Sequence, residues 1–415
     1  MANQARKKVI VIFLGIIFLL GIVVVWWSNY YKNGKYGECF NAIYIMGLVK
    51  LRYYQPVSVN ELWKTYWQTG SIPKMLKVLK DPYTRFLNRD EYLELTKETK
   101  GSFGGVGIYL ATKDKKIFIS GVVKDSPAER AGLKKGDQII KINQYLVSKG
   151  SSEFAIAKIR GAAGTQLMLR IMRKSGEKRA ELDVELRREI IILPTIEAKI
   201  KADPVLEQYA YVKIFSFAET TPLDLDHELK KIDKMPNCHG LILDLRANPG
   251  GSLEAAVKVV SHFIPEGIPV LHVKRRGFPV QSLDTEKYTH RRLPMVVLVD
   301  AWSASASEIV SGALKDQHRA LLVGSHTYGK DLIQEIRPLP GRVAITITIA
   351  SYLTSGKVNI HKKGVQPDKL VEIPGAIEKL LKGDSKAYLE VQQAQEEAAL
   401  LLLRAQARKG LKKAS

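Results

Sequence analysis

Between residues 190 and about 375 the chain alternates short apolar runs with stretches of helical period. The runs are Tyr211–Ile214, Leu241–Leu245, Val270–Val273, Met295–Val299, Ala320–Val323 and Val343–Ile349. Helices fit between them at Thr221–Ile232, Leu253–Phe263 and Glu308–Lys315. Strands that are apolar on both faces and separated by helices predict an α/β core with mainly parallel pairing. Residues 101–188 follow another rhythm. Strands are expected at Ile117–Val123, Gln138–Ile142, Gln166–Met172 and Lys178–Leu186, with short helices at Pro127–Ala131 and Ser152–Ile159. Turn glycines at 132, 136, 161, 164 and 176 separate them, which predicts a compact β-rich domain. Residues 39–99 read as helical and polar, with Trp63, Tyr66 and Trp67 as bulky anchors. Residues 384–415 read as a helical tail, one helix over Tyr388–Arg408. Its apolar part, Leu400–Leu403, is too short to span a bilayer, so it is expected to pack on the core or to self-associate into a homo-oligomer.

Charge enters next. Val9–Trp27 carries no charged residue, follows Arg6-Lys7-Lys8 and ends in Trp26-Trp27. That length spans a bilayer, and tryptophans favour its interface. No small-x-small cleavage site follows, so residues 1–28 read as a basic end plus an uncleaved membrane anchor rather than a signal peptide. The basic flank places the N-terminus in the cytoplasm. The rest of the chain is then extracytoplasmic, on the periplasmic or cell-surface side of the membrane. The net charge of +22 would suit nucleic acid or anionic lipid. This topology favours lipid and excludes nucleic acid. Two cysteines, Cys39 and Cys238, make neither a disulfide framework nor a metal site, and the eight histidines lack ligand spacing.

The candidate chemistry lies where two expected strands end. Ser303-Ala-Ser-Ala-Ser-Glu308 follows Met295–Asp300, and Tyr328-Gly-Lys330 follows Ala320–Gly324. Open α/β cores build their sites at such ends. A hydroxyl and a lysine amine together fit a Ser/Lys hydrolase, a variant of the serine triad. Serine needs its proton taken, and lysine can take it only when neutral, which requires apolar burial. A lysine after glycine is otherwise an ordinary loop charge. Ser303, Ser305 and Ser307 compete as nucleophile, and local chemistry does not separate them; one is expected to cap the next helix. Helix N-terminal N–H groups can hold an oxyanion, and Asn248-Pro-Gly-Gly251 offers a second donor. Gly324–Lys330 has P-loop spacing, but Asp331 stands where that loop needs Ser or Thr, so nucleotide binding is not expected. In Gly101–Ile108, a Gly-x-Gly turn can aim N–H groups at a terminal carboxylate. The strand from Ile108 then offers an edge to an extended peptide.

Residues 101–188 resemble a PDZ domain, most specifically over Ser126-Pro-Ala-Glu-Arg-Ala-Gly-Leu-Lys-Lys-Gly-Asp137. The likeness implies peptide binding at Gly105, Val106, Gly107 and Ile108. The whole resembles the carboxyl-terminal processing (tail-specific) peptidases. The motifs are Asp81-Pro-Tyr-Thr84, Ile159–Thr165, Leu243–Gly251, Ser303–Ile309, Tyr328–Lys330 and Gly364-Val-Gln-Pro-Asp368. The resemblance implies a crotonase/Clp-like serine protease core over 190–375. It assigns Ser305 as nucleophile, Lys330 as base, Gln334 as orienting partner and the Gly251 and Ala306 N–H groups as oxyanion hole. Asp316 reads as structural. It implies protein or peptide substrates bound by their C-termini, with no metal and no organic cofactor. Two positions depart from the pattern: Ala247 replaces a common Asn, and Asp331 replaces the usual Gly. A left-handed backbone at 331 would strain Asp, and its carboxylate would weaken Lys330 as a base. Asp331 therefore supports a second reading, a membrane-tethered PDZ scaffold with an inactive core.

Overall fold

The computed structural model describes residues 35–100, 102–113, 116–147, 155, 158–175, 178–192, 194–287, 292–341, 343–372 and 385–414. The expected anchor, Val9–Trp27, and most of the helix expected at Ser152–Ile159 lie outside them. Among the described residues no helix is long and apolar enough to cross a membrane. The chain divides into two bodies. One comprises the described residues up to Glu94 together with Leu271–Leu283 and Asp331–Asn359. The other comprises Leu95–Val270, Asp284–Lys330 and the described residues from Ile360 on.

In the first body, strand Val343–Thr354 organises an antiparallel sheet. It pairs with Arg85–Leu87, with Leu332–Leu339 and, from Leu271 on, with Pro269–Lys274. Helix Lys35–Arg52 buries Ala42, Ile45, Met46 and Val49, one face at helical spacing. These pack with Leu62 and Met75 from the following helices and with Ile345, Ile347 and Ile349 of the sheet. Asp81 fastens its turn to that sheet. Its carboxylate accepts the Tyr83 N–H at 2.9 Å and the hydroxyls of Thr84 and Thr348, each at 2.7 Å. Burial, and then this carboxylate, push the Tyr53 phenol far above its ordinary range.

Two expectations change here. Val343–Ile349 and most of Val270–Val273 were expected in the parallel core, and they lie in this antiparallel sheet instead. Ile345, Ile347 and Ile349 alternate with Thr346 and Thr348, the period-two pattern of an antiparallel strand: the isoleucines pack with the helices, and the threonine hydroxyls donate to the Tyr83 carbonyl and the Asp81 carboxylate. Leu332–Leu339 is a strand that the apolar pattern misses, because Gln334, Glu335 and Arg337 interrupt it.

The second body carries the β-rich domain and the α/β core. The β-rich domain is a sheet in the order Ile108–Lys113, Lys116–Val122, Gln138–Ile142, Gln166–Ser175, Lys178–Arg187. It closes over Ile117, Ile119, Ile139, Ile142, Leu167, Leu169 and Ile171. The core sheet runs Ile196–Asp203, Glu207–Ile214, Cys238–Asp244, Met295–Val299, Leu321–Gly324, Lys369–Leu370. The first pair is antiparallel and the rest are parallel. Parallel neighbours need crossovers, and helices Thr221–Asp233, Leu253–Ser261 and Ala306–Asp316 lie in the connecting segments.

The C-terminal helix, Ser385–Ala414, packs on this core. Ala399, Leu403 and Ala407 are buried with Ile242, Val296, Leu298 and Val323 of the sheet. Arg404 pairs with the buried Asp203 at 2.6 Å, and Lys201 pairs with Glu396. Leu403 is wholly buried. Leu403→Ala is therefore expected to destabilise the chain by about 2–4 kcal/mol, through lost transfer energy plus the cavity left behind. A lowered urea midpoint without loss of the serine-reactive site at low denaturant would check this.

Candidate active site

The site is assembled where strands of the core sheet end. Met295–Val299 runs into Asp300, whose carboxylate is buried. It accepts the N–H groups of Trp302 and Ser303, each at 3.0 Å, and that of Ala247 at 3.0 and 3.1 Å. Burial pushes the Asp300 carboxyl above its ordinary value against the pull of these bonds. One acid thus ties this strand end to the turn after Cys238–Asp244.

The three serines separate at once. Ser303 is fully buried; its hydroxyl donates to the Leu245 carbonyl at 2.8 Å and accepts the Asp300 N–H at 3.0 Å. Ser307 is fully buried and donates to the Asn248 carbonyl at 2.9 Å. Both hold loops together. Ser305 is half-buried at the N-terminus of helix Ala306–Asp316, with φ 54° and ψ −112°. A side-chain-bearing residue in so sparse a region stores on the order of 1–3 kcal/mol of strain, which surrounding contacts must hold in place.

Those contacts come from two sides. Asn248 bonds the Ile214 carbonyl and the Gly250 N–H through its side chain, and its own carbonyl accepts the Ala304 N–H at 3.0 Å. Gly250 has φ 102°, and a Cβ there would stand 2.7 Å from the Ala304 carbonyl oxygen and 2.9 Å from Ser305 Cβ. Only glycine lets this turn close on the serine. Among the described residues no backbone carbonyl takes the N–H of Gly251 or Ala306. N–H groups in such a position can receive the negative oxygen of a tetrahedral intermediate.

The other side is the loop carrying Lys330, itself half-buried. The Tyr328 N–H donates to the Ser303 carbonyl at 3.0 Å. Gly364–Asp368 backs the loop: Val365 N–H donates to Thr327 Oγ1 at 2.6 Å, and Asp368 accepts the Leu322 N–H at 2.8 Å. Glu308, fully buried in the first turn of the helix, accepts from four donors. Its Oε1 takes the Thr327 hydroxyl at 2.5 Å and the Gly329 N–H at 2.6 Å. Its Oε2 takes the Ser305 and Lys330 N–H groups, each at 2.9 Å. The backbone nitrogens of Ser305 and Lys330 are thus no farther apart than those two bonds laid end to end. Reading the chemistry from residue types alone passes over Glu308. The available signal is its spacing from Ser305, that of a capping box.

Ser305, Lys330, Gly251 and Ala306 therefore belong to one body. Gln334 belongs to the other, beside an irregularity in strand Leu332–Leu339, where its amide donates to the Leu332 carbonyl at 3.1 Å. Asp331, also in that body, is buried and lies outside the left-handed region. The strain expected of it is absent. Ala247, in contrast, does take φ 56°.

In the β-rich domain the four expected peptide contacts differ in local commitment. Gly105 sits in the ladder between Ser102–Gly105 and Glu189–Ile192. The carbonyls of Val106 and Gly107 accept from Ala128 and Val123, each at 2.9 Å. Gly107 has φ 80°, and a Cβ there would lie 2.3 Å from Ser126 Cβ. Ile108 begins the outer strand of the sheet.

The profile of Peptidase family S41 matches residues 208–371, and that of the PDZ domain matches residues 94–172. The carboxy-terminal processing protease CtpA of Bacillus subtilis is 32% identical over 326 residues, 79% of this chain and 67% of its own length. The chain belongs to peptidase family S41. A carboxyl-terminal-processing protease of Synechocystis sp. is 36% identical over 307 residues, 73% of this chain and 71% of the relative. Among solved structures, the photosystem II D1 C-terminal processing protease aligns with a TM-score of 0.52 at 26% identity, covering 86% of this chain and 99% of that one. This S41 protein is a serine-type peptidase with a PDZ domain, an α/β core and helices at both ends, as the sequence motifs implied.

The strain at Ser305 can be measured. Both Ser305→Gly and Ser305→Ala remove the hydroxyl, but only glycine occupies φ 54° freely. Ser305→Gly is expected to be more stable than Ser305→Ala by about 1 kcal/mol in chemical denaturation.

Proposed function

We propose that this chain is a membrane-anchored serine endopeptidase that takes a polypeptide by its C-terminus and cuts it through an acyl-enzyme on Ser305. One observation carries the reading. Ser303 and Ser307 are sunk in the core on main-chain carbonyls, while Ser305 is half-buried on a strained turn beside the lysine loop. Lys330, when neutral, removes the Ser305 proton, and the serine oxygen attacks the scissile carbonyl. The N–H groups of Gly251 and Ala306 receive the oxyanion. Collapse expels the amine of the leaving fragment, which takes the proton back from Lys330. Water, deprotonated by the same lysine, then cleaves the ester. Gln334, four residues beyond the lysine in sequence, is assigned to orient the amine on the strength of the family motif. No metal or organic cofactor enters these steps.

The PDZ domain supports capture of a chain end. The Val106 and Gly107 N–H groups are not spent on the described backbone, and the outer strand beginning at Ile108 suits pairing with an extended peptide. Asp331 needs no left-handed backbone, so that ground for an inert scaffold falls away. A serine-reactive phosphonate tests the assignment. It is expected to label Ser305 alone, and Ser305→Ala and Lys330→Ala are each expected to lower cleavage of an unstructured protein by about 1,000-fold or more. Cleavage that survives both substitutions sinks the mechanism.

The anchor is a separate part of the proposal. The uncharged run Val9–Trp27 and the basic residues before it support an extracytoplasmic enzyme held at the membrane. The full chain is expected to float with anionic vesicles and to resist alkaline carbonate. Ile16→Arg with Leu20→Arg is expected to release it, since each arginine costs about 2.5–3.5 kcal/mol in mid-membrane. A wild-type chain left in the carbonate supernatant overturns the anchor and leaves the peptidase chemistry untouched.

A further inference from the structure

We infer that Glu308 is a positioning residue whose single buried carboxylate sets the spacing between nucleophile and base. The inference rests on the assignment of Ser305 and Lys330 above. An ordinary capping box returns one bond from the N3 side chain to the N-cap N–H. Here that bond exists, from Ser305 N–H to Oε2 at 2.9 Å, but three further donors come from Thr327, Gly329 and Lys330. A carboxylate offers about four lone-pair sites and no donor. Four donors meet it, so the residue is saturated, and it is fully buried.

The arrangement works as a gauge. Oε2 receives the N–H of the nucleophile and the N–H of the base together. Moving either backbone by a fraction of an ångström lengthens one of these bonds, and catalytic groups need about 0.5 Å precision. The helix N-terminus favours the negative charge at this position. Ser305 also needs an outside restraint to stay at φ 54°, and the bond from its own N–H supplies one. Glutamine cannot substitute: one of its two polar atoms is an NH₂ group, which would face N–H donors. A second tie, Tyr328 N–H to the Ser303 carbonyl at 3.0 Å, does not involve Glu308 and holds the two loops together when it is altered.

The test compares Glu308→Gln and Glu308→Asp in the full-length enzyme, using cleavage of a quenched fluorescent peptide, phosphonate labelling and thermal unfolding. Glu308→Gln is expected to lower kcat by about 100-fold with KM within about threefold, and to slow labelling per folded molecule in proportion. Glu308→Asp keeps both oxygens and is expected to recover part of the loss, to within about tenfold of wild type. A merely structural glutamate predicts something else: less labelled protein and a lower Tm, with an unchanged labelling rate for the molecules that fold. That result overturns the proposal. Should Glu308→Gln fail to fold, amide hydrogen exchange in Glu308→Asp decides. The Ser305, Gly329 and Lys330 amides are expected to lose protection together relative to wild type, and independent behaviour of the three overturns the gauge. An active Ser305→Ala enzyme would refute the catalytic assignment itself. An inactive Ser305→Ala enzyme beside a fully active Glu308→Gln refutes only the role given to Glu308.

Discussion

A strand that ends inside a protein leaves N–H groups with no ladder partner, and an unpaired buried N–H costs about 1–3 kcal/mol. In the S41 core this constraint is met by acids. Asp244 accepts the Arg246 N–H, Asp300 accepts three turn N–H groups, Glu308 accepts three more, and Asp368 accepts that of Leu322. Each carboxylate draws a loop into a fixed path, and those loops carry Asn248–Gly251, Ser305 and Lys330. The site is built mostly of backbone, and side-chain carboxylates define where that backbone goes.

The same logic extends to the neighbouring helix. Asp244 and Arg246 form a buried pair, and Arg246 also reaches the Gln392 carbonyl of the C-terminal helix at 2.8 Å. Burial works against the charged Arg246 guanidinium, but the bonds it donates to Asp244, with their charge attraction, hold it above its ordinary range. The turn two residues later therefore rests on a helix from far along the chain. The helix earns its place by covering the sheet with Ala399 and Leu403.

Much of this was legible in the residues. The parallel strands of the core, the PDZ turns and the glycine-rich turn before Ser252 announce themselves through apolar runs and punctuation. What escaped detection did so for physical reasons. Val343–Ile349 carries an Ile/Thr alternation, but its threonines are buried like its isoleucines because their hydroxyls meet Tyr83 and Asp81, partners that only the fold brings near. The three serines are alike as residues and differ only in the carbonyls they meet, Leu245 for one and Asn248 for another. Glu308 looks like an ordinary polar residue opening a helix, because its partners at 327–330 are close only after the sheet has formed. Asp331 looked like a strained substitution, yet its backbone takes no left-handed turn.

Strand Arg85–Leu87 pairs with Val343–Thr354, and the Arg85 N–H meets the Thr346 hydroxyl across 261 residues of chain. The helices before it bury Leu62 and Met75 against that late strand. At ribosomal speeds of about 5–20 residues per second, this apolar surface waits on the order of ten to fifty seconds for its cover. Contacts of such long range also slow folding once the chain is complete. The body that contains Asp331 and Gln334 is thus completed only once Val343–Thr354 has been made, and until then its early helices lack the strand that covers them.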